Sequence, residues 1–66
     1  MTLAFNYTNW RGERSARRAV PLGIRFGTSE YHKQPQWLIF AFDLDKHDMR
    51  EFAERDMTEC NWIEKD

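Results

Sequence analysis

Residues 36–42 read Gln-Trp-Leu-Ile-Phe-Ala-Phe, six apolar side chains in a row behind one amide. A run apolar on both parities is what a strand buried on two faces requires. Trp37, Leu38, Phe40 and Phe42 are therefore expected to straddle the central strand of the core. The chain has 66 residues, enough for one domain, 1–66, in which only about 60 % of the unfolded surface can be buried. Five Phe, three Trp and two Tyr offset the thin core, because each ring removes a large area from water and so opposes the ordering entropy. Self-association into a homodimer, or docking on a larger chain, would supply a second surface to bury.

The segments on either side also read as strands. Leu3, Phe5 and Tyr7 alternate with polar neighbours up to a turn containing Gly12, and Val20, Leu22, Ile24 and Phe26 repeat at period two from Arg17 onward. Pro21 and Gly23 within that second strand argue for an edge or a bulge. Residues 27–35 form a loop long enough to act as a flap over one end of a sheet. Asp43, Asp45 and Asp48 supply turn chemistry after the apolar run. Met49, Phe52, Ala53, Met57 and Cys60 recur at helical spacing, and local pattern alone predicts a helix over 49–59. Asn61-Trp62-Ile63 suggests a last short strand or a packed tail, with 64–66 frayed.

Cys60 is the only cysteine, which excludes an intrachain disulfide and fits a reducing, cytoplasmic setting; a buried structural thiol is expected. No apolar run approaches the roughly 20 residues of a membrane span, so no membrane partner is expected. The net charge of -1 hides a segregation: Arg11, Arg14, Arg17, Arg18 and Arg25 stand against Glu13 in residues 1–26, whereas residues 43–66 carry nine acids against four bases. Either the two segments neutralise each other across a sheet, or the arginines form a face for an anion.

Catalysis needs a nucleophile, a base and an orienting group that converge. His32 and His47 lie in loop segments, and nothing beside Cys60 would lower a thiol pKa. The Asp43–Asp48 run lacks the sixth-position glycine and closing glutamate of a calcium loop. No Gly-rich phosphate loop, Cys-x-x-Cys pair or zinc-type His spacing occurs. No enzymatic activity, metal or cofactor is expected. Recognition by arginine and aromatic side chains remains: arginine forks onto phosphate or carboxylate and a ring can stack on a base, although the same residues are favoured at protein contacts.

Tyr7, Gly12, Arg17 ahead of Pro21-Leu22-Gly23-Ile24, Gln36-Trp37-Leu38, Arg50-Glu51-Phe52 and Arg55-Asp56-Met57 follow one another in an order that resembles the WYL family over about residues 3–57. The family's triplet reads Gln36-Trp37-Leu38 here, and Val20 stands where a polar residue is commoner. The resemblance implies a mainly β fold, a small strongly bent Sm-like β-barrel of about four to five strands, with a strand at 49–53 and a short helical turn in place of the helix. It implies a bacterial regulatory module that senses an anionic ligand, a nucleotide or single-stranded nucleic acid. Tyr7, Arg17, Trp37 and Arg50 are the ligand-binding residues it suggests, with Arg18 as a neighbour that tandem placement would turn to the other face. The alternative is a protein-interaction module, a small accessory or inhibitor protein of the phage or defence kind, with exposed Trp and Arg docking on a partner protein.

Overall fold

In the computed structural model, which describes residues 1–63, five antiparallel strands form one sheet in the order β4-β3-β2-β1-β5. They are β1 (Thr2–Thr8), β2 (Arg14–Gly27), β3 (Gln36–Asp43), β4 (Asp48–Ala53) and β5 (Met57–Ile63), with a single 3-10 turn, Glu54–Asp56, between the last two. Residues 64–66, where fraying was expected, lie outside the described residues.

The β1–β2 hairpin turns on Asn9, whose side-chain oxygen accepts the backbone N–H of both Arg11 and Glu13 at 2.9 Å. Gly12 sits there at φ +82°, a conformation a Cβ would strain. In β2, Pro21 pairs with Ala41 and Gly23 with Phe40, so Leu22 is an extra residue. Pro21 and Gly23 thus mark a bulge in an inner strand, not an edge. A bulge bends a strand, and here it comes with a sheet that curls on itself: β1 and β4 are three strand spacings apart, about 14 Å if flat, yet the Phe5 and Tyr7 rings lie 5.1 and 4.9 Å from that of Phe52. The Tyr7 hydroxyl accepts the Ala53 backbone N–H at 2.9 Å across the same gap.

Phe5, Tyr7, Ala19, Ala41 and Phe52 make up the buried cluster inside this curl, with Leu3 and Met57 packed against it. Residues 49–59 form no α-helix, only the 3-10 turn Glu54–Asp56. Met49–Ala53 pairs with β3 instead, Phe52 opposite Ile39, because in that register Phe52 reaches Phe5 and Tyr7, a larger gain than the apolar stripe of an isolated helix. The expectation of a strand buried on two faces holds only in part, through Leu38 on one face and Ala41 on the other. Trp37 and Phe40, however, are 51 % and 44 % exposed and Phe42 is only half-buried; β1 and β4 close over the Ala41–Asp43 end of β3 and do not reach Trp37. Cys60, expected in the core, is exposed on β5.

Candidate functional site

The segregated charges meet across the sheet. Arg14 lies 4.0 Å from Glu59, Arg17 3.2 Å from Asp43 and Arg18 2.8 Å from Asp45, and Arg25 binds both oxygens of Glu51. Four of the five N-terminal arginines are therefore committed to the acidic segment. Only one of these pairs is buried. Asp43 is inaccessible to solvent; its Oδ2 accepts from Arg17 Nη1 while its Oδ1 accepts the N–H of Asp45 at 2.9 Å and of Lys46 at 3.2 Å. The carboxylate thus holds the β3–β4 turn and the β2 arginine together. The Arg17 guanidinium lies over the rings of Tyr7 and Phe52 at 5.9 and 5.8 Å, a cation–π arrangement.

Beside Arg17 the surface opens into a groove of about 550 Å³ whose lining includes Tyr7, Trp10, Arg17, Arg25, Tyr31 and Arg50. One wall is the flap. Loop 28–35 is closed by a Ser29–His32 turn, and it lays Tyr31 on Trp10 of the β1–β2 turn as a stacked pair, 5.8 Å between centroids and 17° between planes. His32 approaches Asp56 at 3.6 Å. The other wall is β4. Arg50 stands two residues from Phe52, hence on the same face, and no carboxylate lies within 4 Å of it among the described residues. Arg17 has a second vacancy: its Nε donates to Ser15 and one Nη1 bond goes to Asp43, which leaves Nη2 without an acceptor among the described residues.

The Arg25–Glu51 pair in the groove is held charged. The hydrogen bond from Arg25 keeps the Glu51 carboxyl below its usual range, and the same bond raises Arg25. Burial pushes the Tyr7 hydroxyl above its usual value, against the lowering effect of the Ala53 N–H. Tyr7 is consequently a neutral acceptor at physiological pH, an anchor of the groove floor.

Of the residues expected to bind, Tyr7, Arg17 and Arg50 meet in this groove. Arg18 does not: it is turned away from Arg17 toward Asp45, as alternation along a strand requires. Nor does Trp37, whose partner is Phe26 in an edge-to-face contact at 5.2 Å. Trp10 and Tyr31 were absent from that set. They lie in two loops distant in sequence, and the only advance signal was the flap itself. Comparison with protein-family models, curated proteins and solved structures found no match.

Proposed function

We propose that this chain is a ligand-sensing module of the WYL kind that takes an anionic ligand, a nucleotide or short single-stranded nucleic acid, in the groove between the flap and β4. The observation that carries this reading is Arg50: a guanidinium facing a groove with no carboxylate partner, next to an Arg17 fork with an open donor. Arginine donors pair with phosphate oxygens, and the exposed faces of Trp10 and Tyr31 offer a stacking platform for a base. Glu30 in the lining opposes dianions, which favours a singly charged phosphodiester near Arg50 over a terminal phosphate. The curl that brings Tyr7 onto Ala53 supports an Sm-like barrel left open between β4 and β5. A role as a regulatory part of a larger system follows from the resemblance.

The test is titration with mononucleotides and short homopolymeric single strands, followed by Trp fluorescence. Arg50→Ala is expected to weaken binding by roughly 1.5–3 kcal/mol, with poor rescue by Arg50→Lys, which keeps the charge and loses the planar fork. Affinity for single strands should fall with salt at a log–log slope of about -0.7 per phosphate contacted. Undiminished binding in Arg50→Ala would remove the groove from the reading. A second reading, protein interaction, is favoured by a separate feature: Ile24, Phe26 and Trp37 are exposed on the β2–β3 arm.

A further inference from the structure

Beyond its bulge the β2–β3 hairpin becomes an arm with one face that nothing among the described residues covers. Ile24 is paired with Ile39 and Phe26 with Trp37; two directly opposed pairs two residues apart share one face of the sheet. On that face Ile24, Phe26 and Trp37 are 60 %, 58 % and 51 % exposed, and Leu22, at the bulge, is 61 % exposed. The strip itself holds no ionisable residue, Arg50 standing two strands from β2, on β4 at the groove. Arg25, the one charge between Pro21 and Gly27, alternates to the opposite side and is tied to Glu51. None of these apolar residues lines the groove.

The overall dimensions carry the same mark. A compact monomer of 8.0 kDa should expose about 4,450 Å², and this chain exposes 4790 Å². Its radius of gyration is 11.4 Å against about 10.8 Å for a compact domain of this length, and its extents are 38 × 23 × 20 Å. Four large side chains, each roughly half exposed, make a strip of roughly 400 Å², as large as the largest apolar patch on a typical monomer.

We propose that this strip is the contact by which two copies of the chain pair face to face. A partner recognised by charge would gain little from the strip, because the strip is uncharged. A twofold-related copy presents the same uncharged strip in an isologous contact, and a net charge of -1 opposes pairing little. Two strips would bury about 800 Å² in total, the size of a weak, transient interface. The dimer is therefore weak and concentration-dependent, and it leaves both grooves free.

The experiment is sedimentation equilibrium of the full chain over about a hundredfold dilution, with Phe26→Ser and Trp37→Ser beside the wild type and circular dichroism to confirm the fold. The wild-type mass should fall from twice 8.0 kDa toward the monomer on dilution. Each variant should raise the dissociation constant at least about tenfold, while Trp62→Ser, on β5, leaves it unchanged. Trp37 emission, isolated in a Trp10→Phe, Trp62→Phe background, should shift to the blue as the dimer fills, which keeps the proposal testable if a serine variant does not fold. A monomeric wild type at every concentration would overturn it and assign the strip to a different protein. A dimer indifferent to both serine substitutions would overturn it in favour of another surface.

Discussion

The two halves of the β2–β3 hairpin are made of similar strand and have opposite fates. At the Ala19–Asp43 end even a carboxylate is wholly buried, whereas at the Gly27–Gln36 end Phe26 and Trp37 stand half in water. Hydropathy would assign them the other way round. What differs is the cover: β1 and β4 fold over the first half, bringing Phe5, Tyr7 and Phe52 onto Ala19 and Ala41, and among the described residues nothing folds over the Phe26–Trp37 face of the second. Burial in a domain this small is decided by which segment the sheet's curl can reach.

Large-to-small substitution should separate the halves most strongly. Phe52→Ala removes the ring that both Phe5 and Tyr7 contact edge-on and should cost about 3–5 kcal/mol, most of the stability of a small domain. Phe40→Ala, on the uncovered part of β3, should cost under about 1.5 kcal/mol. Urea unfolding at low protein concentration gives both numbers. Equal losses would show that the arm is packed like the core.

Asp43 offers the next contrast. Asp43→Ala leaves the Arg17 guanidinium, largely enclosed between Tyr7 and Phe52, without its carboxylate and releases two turn N–H groups; a loss of about 3 kcal/mol is expected. The exposed Arg18→Ala should have no measurable effect on thermal unfolding. Similar losses from the two would mean that burial does not distinguish the pairs.

Tyr7→Phe sharpens the comparison within the covered half, since it keeps the ring and removes one hydrogen bond. The Ala53 N–H is left without its acceptor, at a cost of about 1–3 kcal/mol. The wild type should also lose stability in alkali. Because burial raises the hydroxyl in the folded state, the unfolded chain gives up its proton first, so stability is complete below about pH 10 and declines as pH rises through that value. Tyr7→Phe should flatten that part of the alkaline decline.

Much of this architecture was legible in the residues, because it rests on local pattern. Leu3, Phe5 and Tyr7 alternate as β1 does, and Pro21 with Gly23 marked the bulge. The strand at 49–53 was legible only through the family order of Arg50 and Phe52, since Met49, Phe52 and Ala53 satisfy a helical period equally well and pairing with β3 decides between them. The exposure of Phe40 and Trp37 was not legible: it depends on how far the curl carries β1 toward β4, a long-range quantity no local window contains. Of the suggested binding residues, Tyr7, Arg17 and Arg50 line the groove, whereas Trp37 and Arg18 do not. The Trp10–Tyr31 stack was not legible, because two loops must fold before those rings share a wall.

The smallest expected effect concerns the ion pairs that join the basic and acidic segments at the surface. The Arg18 hydrogen bond holds the Asp45 carboxyl below its usual range, and the Arg25 bond does the same for Glu51. A carboxyl depressed in the folded state stabilises the fold above its unfolded pKa, and that contribution fades as pH falls through the folded one. Stability should therefore hold down to about pH 4.5 and slip below it. Both arginines are at least half exposed, so solvent and salt screen the pairs. Thermal midpoints measured from pH 6 to pH 3 with and without about 1 M salt isolate them: added salt should shrink the acid-side slope due to Asp45 and Glu51 and leave the loss in Asp43→Ala intact. A slope that salt does not touch would show that the exposed pairs of Asp45 and Glu51 do not set the acid-side loss of stability.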